Sequence, residues 1–444
     1  MKRVLFITTN INTQPGYPVG CGILSAILKK NGYKVDGIYF DEIDGFSKKL
    51  DYRLIDKKVL ANDVVCFSSF TIQYKFVEQI ARYLKEKYPD KRRILGGYHA
   101  TTNYEELKGT GLYHEIFRGE AEDAIIDLVE GKHFDSPQMT KDINKYYEID
   151  YDLFPGVTEK IMKKHNGWIN IIFARGCPFN CSYCWNGAIR SSYKVTNKEY
   201  LRQVTPENAI KMVQHIVEKY KDFKVLNIQD DLFTWNKPWI REFCKLLKEN
   251  LPNLEYTCNL RPKMFDLETL NILKESGCIR VILGIESHSK RIRDEVLNRF
   301  MSNDEIMKAV KMCNGVGFRK GCWALYIIGC PTETLQETLN TIRFAGELGT
   351  AGVKMCLMLP FKGTPIYKYC IDNDLLDVGV YERLDNYRDE TCIKFPEYHR
   401  DFIIWCQENF DKLLNYFKKC DGYYEKKYGK EIAVLCNGKY DWKD

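Results

Sequence analysis

Cys177, Cys181 and Cys184 stand at spacing C-x3-C-x2-C in the run Ala174-Arg-Gly-Cys-Pro-Phe-Asn-Cys-Ser-Tyr-Cys-Trp185. Three thiolates on one short loop can each take one iron of a four-iron, four-sulfur ([4Fe-4S]) cluster, whereas a cluster that only carries electrons asks for a fourth thiolate. No fourth cysteine lies nearby, so one iron is expected to stay open to another molecule. The rivals are a zinc site and chance. Zinc sites usually pair C-x2-C units, and only one such unit is present. The apolar run Trp168-Ile-Asn-Ile-Ile-Phe173 just ahead reads as the strand that delivers the loop.

Polar residues at the ends of apolar runs form a second group. Asp230-Asp231, Asn259 with Arg261, Glu286, and Gly329-Cys-Pro-Thr-Glu333 each follow a run that reads as a strand. Singly, each suits a helix cap or a turn. Together they predict one polar rim, because parallel β/α units place active groups at the carboxyl ends of their strands. A third group lies nearer the N-terminus: Gly16-Tyr-Pro-Val-Gly20-Cys-Gly22, Ser68-Ser69, and Gly96-Gly97 followed by His99. Glycines let backbone approach a large flat ligand, and hydroxyls at a strand end can hold a polar tail. His99, after two glycines, reads as a polar rim residue rather than a ligand.

Apolar periodicity marks the supporting strands at 3–8, 34–40, 63–67, 93–95 and 115–117, and helices at 21–30, 72–88 and 120–130. Strands alternating with helices predict a doubly wound parallel sheet (an α/β, Rossmann-like domain) over residues 1–135. Residues 136–167 carry no period and read as a linker, with His165 expected in solvent among Lys163, Lys164 and Asn166. Over 168–370, strands at 169–173, 224–229, 254–258, 280–285, 323–328 and 353–359 alternate with helices. Thr205 before Pro206 and the box Ser302-Asn-Asp-Glu305 mark two helix starts. Six parallel units predict a partial TIM-like (β/α)6 barrel. Ile403, Trp405, Phe410, Leu413, Leu414 and Phe417 suggest an amphipathic helix in 371–444, hence a mostly helical C-terminal cap. Cys392, Cys406, Cys420 and Cys436 are too widely spread for a second cluster.

The bulk numbers set outer limits. A chain of 444 residues, 45% hydrophobic, can hold two to three domains with a sizeable core. Its 66 basic and 60 acidic residues are intermixed, and a net +6 makes no case for nucleic acid or a membrane surface. No apolar run reaches transmembrane length, and the N-terminal run is too short for a signal peptide. Seventeen cysteines without regular pairing fit a reducing, cytoplasmic interior. Cys66, Cys244, Cys258 and Cys356 lie in apolar segments and read as small core residues.

Residues 168–370 resemble the radical S-adenosylmethionine (SAM) superfamily, through the three cysteines with Tyr183 before the third and through the strand-end rim. The resemblance implies that the open iron chelates the amino and carboxylate groups of SAM. It implies Asp230 or Asp231 beside the SAM ammonium, where an anion suits it, Asn259 and Glu286 as further SAM contacts, and Ile327-Ile328-Gly329 lining the adenine. Gly363-Thr-Pro-Ile-Tyr367 is typical of cobalamin-linked members. The first domain resembles the cobalamin-binding domain in front of many such enzymes, on the glycine and serine motifs above, with Arg118-Gly119-Glu120 as a weaker echo. That implies cobalamin held by Gly20, Ser68, Ser69, Gly96, Gly97 and His99. Other cobalamin proteins carry D-x-H-x-x-G after the first strand, and its histidine binds cobalt. The loop Asn10-Ile-Asn-Thr-Gln-Pro-Gly16 has no histidine, so base-off cobalamin is expected.

The resemblance therefore implies a cobalamin-dependent radical SAM enzyme, a methyltransferase acting on an unactivated carbon or phosphorus of a small-molecule or peptide substrate. It would work anaerobically with a reducing partner such as flavodoxin or ferredoxin. In that family the reduced cluster cleaves SAM, a 5′-deoxyadenosyl radical removes hydrogen, and methylcobalamin donates methyl where the rims of the two domains meet. Relatives that cyclise or contract rings keep both cofactors without methyl transfer. Transfer-RNA methylthiotransferases carry three more cysteines in their N-terminal domain, whereas residues 1–130 here hold only Cys21 and Cys66. A plain electron carrier would need the missing fourth thiolate.

Overall fold

The structure, a computed structural model, describes residues 2–13, 16–41 and 50–418. The first apolar runs form strands β1 (Arg3–Asn10), β2 (Lys34–Asp41), β3 (Val64–Ser68), β4 (Arg92–Gly96) and β5 (Glu115–Ile116). They pair in parallel in the order β2-β1-β3-β4-β5. Val4 to Thr9 of β1 are all buried. A strand covered on both faces gains from apolar side chains on both, which is why it reads as a continuous run rather than an alternation. The helix Tyr74–Lys87 buries Val77, Ile80, Ala81 and Leu84 at helical spacing against Leu5, Ile7, Val65, Phe67 and Leu95. This is the expected doubly wound sheet, and its strand order reverses at β1/β3, the point where such sheets bind ligands.

Residues 136–167, although without an apolar period, bury Tyr151, Leu153 and Phe154 and form a helix over Val157–Lys164. Gly37 of β2 explains how closely this stretch can pass. A Cβ there would stand 2.3 Å from the Leu153 carbonyl oxygen. His165, expected in solvent, is half-buried.

The chain continues through β6 (Trp168–Ile171) and the two-residue β7 (Ala174–Arg175), which pairs antiparallel with β8 (Arg202–Gln203). This small pair has no apolar pattern to announce it. With β9 (Val225–Ile228), β10 (Glu255–Leu260), β11 (Cys278–Glu286), β12 (Cys322–Ile328) and β13 (Gly352–Leu357), six strands take the order β13-β12-β11-β10-β9-β6. They form the partial (β/α)6 barrel that the alternation predicted. Thr205 caps the helix Pro206–Lys219, and Ser302 with Glu305 forms a complete capping box on Asn303–Val316. Near the end of β11 the register shifts between Gly284 and Glu286. Glu286 there takes φ 74°, which costs a non-glycine residue free energy and marks an over-determined position.

As far as Lys418, where the described residues end, the C-terminal segment is mostly helical, as expected, but its amphipathic stretch is two helices, Glu397–Glu408 and Phe410–Lys418, divided at Asn409. They bury Phe402, Ile403, Phe410, Leu413, Leu414 and Phe417. Cys420 and Cys436 lie outside the described residues. No disulfide joins two described cysteines; Cys66, Cys244 and Cys258 are buried core residues and Cys356 is half-buried. Among the described residues no helix is long and apolar enough to cross a membrane.

By its contacts the chain divides into two compact units. The first holds the chain up to Pro178 with Trp185–Asp231 and Lys245–Glu255. The second holds Phe179–Cys184, Leu232–Cys244 and the chain from Tyr256 onward.

Candidate functional site

In the first unit, the carboxyl edge of the five-stranded sheet carries the N-terminal candidates. Ser68 is half-buried at the end of β3 and its carbonyl accepts from Thr8 Oγ1 at 2.9 Å; Ser69 is buried and its Oγ donates to the Phe70 carbonyl at 2.9 Å. Gly97 takes φ 93°, and a Cβ there would stand 2.9 Å from both the nitrogen and the oxygen of Ser69. Only glycine lets the β4 turn press on the β3 turn in this way. Beside Gly20 no atom lies within 4 Å of an added Cβ, and beside Gly96 the nearest is the Phe67 oxygen at 3.8 Å, so both leave room for a ligand. His99 departs from its expected rim position. It is buried, stacks on Tyr74 at 4.0 Å, and holds Nδ1 3.2 Å from the Asn103 amide nitrogen.

Two features of this edge had no sequence signal. Gln73, buried, accepts from the Ile11 N–H and donates to the Ile11 carbonyl, both at 2.8 Å, and so fixes the loop after β1. Phe70, Tyr98 and Trp185 form a stack of near-parallel rings, with centroids 5.2 to 6.0 Å apart and interplanar angles of 17–24°. Phe70 and Tyr98 are exposed. Trp185 directly follows the third cysteine.

The start of the cysteine loop belongs to the same unit. Asp230, fully buried, accepts from the Phe173 N–H at 2.7 Å and the Ala174 N–H at 3.1 Å, clamping the backbone between β6 and β7. Its other oxygen is buried without a hydrogen-bond partner. Burial pushes this carboxyl up to about 7 against the pull of the two N–H groups, and neighbouring Asp231 raises it further. Asp231 keeps surface open to solvent, yet the protein packed around it raises its carboxyl against the pull of the Asn186 side chain and the Gly176 N–H, both within hydrogen-bond reach. Of the two carboxylates expected near an ammonium, Asp230 is thus committed to the backbone and Asp231 is accessible. Arg175 pairs with Glu122 at 2.5 Å and Glu120 at 3.3 Å, and Arg202 grips Glu120 with two bonds at 2.6 and 2.8 Å. Glu120 of the Arg118-Gly119-Glu120 motif thus ties down Arg175 and Arg202, the strand pair β7–β8 at the start of the loop. Cys177 is half-buried, and its carbonyl accepts from Arg190 Nη1 at 3.3 Å.

The second unit holds the other two cysteines. Cys181 is buried and Cys184 half-buried, with the Cys184 N–H donating to the Cys181 carbonyl at 3.1 Å. Two buried guanidiniums converge on the Cys181 sulfur: Arg261 Nη1 at 3.6 Å and Arg299 Nη1 at 3.7 Å. Arg299 Nη1 also donates to the Tyr183 hydroxyl at 3.0 Å, and that hydroxyl donates to Glu286 Oε1 at 3.0 Å. Glu286 and Arg299 close the circuit at 3.4 Å. Glu286, expected to meet SAM, is therefore engaged with the tyrosine of the cysteine loop. Burial, then the Glu286 charge, hold the Tyr183 phenol well above its ordinary pKa, so it stays a donor.

The remaining rim residues are less committed. Asn259 is half-buried near the end of β10. Gly329, after β12, takes φ 72°, and Ile403 and Thr391 occupy the space beside it, Ile403 Cγ2 lying 3.3 Å from an added Cβ. Glu333 is fully buried. It accepts from the Cys330 N–H at 2.9 Å through one oxygen and leaves the other unpartnered. Burial pushes this carboxyl up to about 8.

The donor set fits a cluster better than a single ion. Among the described residues no group of three or more His, Cys, Asp or Glu side chains is arranged to hold one metal ion. A zinc site needs its donors within about 2.3 Å of one centre, whereas a cluster offers each thiolate its own iron. Paired guanidiniums at the Cys181 sulfur match an anionic assembly. The room beside Gly20 and Gly96, the aromatic stack and the absence of a histidine between 10 and 16 fit a large flat cofactor held without a protein imidazole.

Comparison with known proteins agrees with this geometry. The family model of the radical SAM superfamily matches residues 171–345, and that of the B12 binding domain matches residues 10–129. An uncharacterized methyltransferase of Pyrococcus horikoshii is 26% identical over 401 residues, covering 85% of this chain and 82% of the relative. The anaerobic magnesium-protoporphyrin IX monomethyl ester cyclase of Cereibacter sphaeroides is 23% identical over 396 residues, covering 82% and 62%. Among solved structures, the cobalamin-dependent SAM radical enzyme OxsB, with aqua-cobalamin and SAM bound, shares the fold at a TM-score of 0.68 and 14% identity, covering 98% of this chain and 71% of that one.

Proposed function

We propose that this chain, which belongs to the radical SAM superfamily and carries a B12 binding domain ahead of that core, is a cobalamin-dependent methyltransferase acting on an unactivated carbon or phosphorus of a small molecule. The observation that carries the reading is the pair of buried guanidiniums at the Cys181 sulfur, in a chain whose sheet edge carries open space beside Gly20 and Gly96 and a stack of aromatic rings. When bound, the cluster and SAM supply a radical able to take hydrogen from an unreactive position, and cobalamin supplies a carrier for the methyl group.

The chain's own residues bind and orient. Cys177, Cys181 and Cys184 hold the cluster, while Asp230 fixes the backbone that leads into their loop. Asp231 is the carboxylate that meets the SAM ammonium, because an exposed anion can pair with it and the buried Asp230 cannot. Gly97 draws the β3 and β4 turns together, and Phe70 and Tyr98 offer ring faces to the cobalamin. A one-electron carrier of the flavodoxin or ferredoxin class supplies the electron.

The test is anaerobic reconstitution followed by turnover with methyl-labelled SAM. Bound cobalamin, and S-adenosylhomocysteine and 5′-deoxyadenosine in roughly equal amounts with labelled product, are expected. Failure to bind cobalamin overturns the reading. The likeness to a cyclase along 82% of the chain motivates a second reading, ring formation or rearrangement without methyl transfer. Deoxyadenosine without S-adenosylhomocysteine would favour it.

A further inference from the structure

Arg261 is buried, yet no carboxylate pairs with it among the described residues. Its guanidinium donates to the Cys181 sulfur and to the Arg299 carbonyl, and lies over the Phe179 ring at 3.9 Å. A buried cation without an anionic partner is costly. The cost rises here because Arg299 brings a second guanidinium to the same sulfur. Glu286 offsets only one of the two, at 3.4 Å from Arg299. The pocket therefore carries one positive charge more than its carboxylates balance, and the sulfur both guanidiniums reach is where a negative charge has to sit.

Resting on the cluster reading above, we propose that Arg261 and Arg299 are redox-positioning residues that raise the reduction potential of the cluster through the sulfur of Cys181. Three thiolates leave an oxidised four-iron cluster anionic, and one added electron makes it more so. A fixed cation at a ligand sulfur stabilises the reduced form more than the oxidised form, in the way hydrogen bonds to cluster sulfurs set potentials in general. The balance is one electron in and no bond broken, with the reductant an external one-electron donor.

The electron reaches the two arginines' field at one ligand of three. Phe179 and Tyr183, inside the cysteine loop, fix Arg261 and Arg299 respectively from the loop side, and the Gly284 carbonyl fixes Arg299 from the β11 side. Both cations are thus held at the sulfur before any cofactor arrives, so charge stabilisation needs no rearrangement when the electron arrives.

The test uses the full chain, reconstituted anaerobically without SAM, as the unaltered protein and as Arg261→Gln, Arg261→Lys and Arg299→Lys. Iron and sulfide per chain are measured first, and the cluster is then titrated with titanium(III) citrate and followed by electron paramagnetic resonance. Expected is unchanged cluster content with a lower midpoint in Arg261→Gln: at fixed potential the reduced-to-oxidised ratio falls by about tenfold, which is about 59 mV for one electron. Arg261→Lys keeps the charge and recovers most of the ratio, and Arg299→Lys shifts it by less than Arg261→Gln. Full cluster content with an unmoved midpoint in Arg261→Gln overturns the inference, as does loss of the cluster in that variant, which would make the arginine a scaffold. An unaltered protein that takes up no iron is a different result, and overturns the cluster reading itself.

Discussion

At the scale of single residues, the side chains with the clearest chemistry sit in unlike surroundings. Cys181 lies under two guanidiniums, while Cys406 is buried in the C-terminal helix Glu397–Glu408, far along the chain from the cysteine loop. Cys181→Ala should therefore abolish reductive SAM cleavage and lower iron content, and Cys406→Ala should leave iron content unchanged; iron and sulfide assays on the reconstituted proteins check both. Asp230 makes a pH-dependent prediction. Its folded pKa of about 7 lies above the ordinary 3.8. Between those values the folded chain holds a proton that the unfolded chain has released, so stability falls as pH rises from about 4 to about 7. Asp230→Asn keeps an acceptor for the Phe173 and Ala174 N–H groups and carries no charge. Its stability should gain on the unaltered protein between pH 5 and pH 8, with an upper limit of roughly 3 kcal/mol at about 1.4 kcal/mol per pKa unit over the two units of the window that remain. Parallel melting curves across that range would refute this.

At the scale of elements, the turns after β3 and β4 and the anchor of the cysteine loop bear the load. Gly97→Ala adds left-handed strain of about 1–3 kcal/mol and drives a methyl group into the Ser69 backbone at 2.9 Å. Cobalamin uptake should fall sharply while iron content holds; retained uptake, read from the corrinoid spectrum, would dissociate this turn from the cofactor. Glu120→Ala leaves Arg202 buried without its carboxylate. Breaking one side of a buried pair costs about 3–5 kcal/mol. The partial exposure of Glu120 and Arg175 puts this case toward the lower end, and a thermal melt measures it. The strands and long helices were legible because a covered strand and an amphipathic helix each impose a period on the sequence. The β7–β8 pair and the helix at Val157–Lys164 were not, since two-residue strands and a helix of two turns are too short to establish one.

For the molecule as a whole, the expected outcome is a cluster and base-off cobalamin in the same chain, the latter because no histidine stands in the loop after β1. The spectrum of the anaerobic protein tests this, and His99→Ala should leave the cobalt ligation unchanged, since His99 is buried against Tyr74. A change of ligation on that substitution would place an imidazole on cobalt after all.

Local covalent spacing was enough to specify the chemistry. Three cysteines within one short loop are close in any fold, glycine pairs mark turns wherever they occur, and the alternation of apolar periods implies two parallel α/β sheets. Which side chains surround those groups depended on the tertiary structure. Arg261 and Arg299 reach Cys181 across 80 and 118 residues of chain, and Glu286 reaches Tyr183 across 103. No local pattern encodes such distances, because long-range neighbours are chosen by strand order and packing. For the same reason the sequence showed two adjacent carboxylates at 230 and 231 as equals. Only the folded chain, by burying one against backbone N–H groups and leaving the other exposed, made them different.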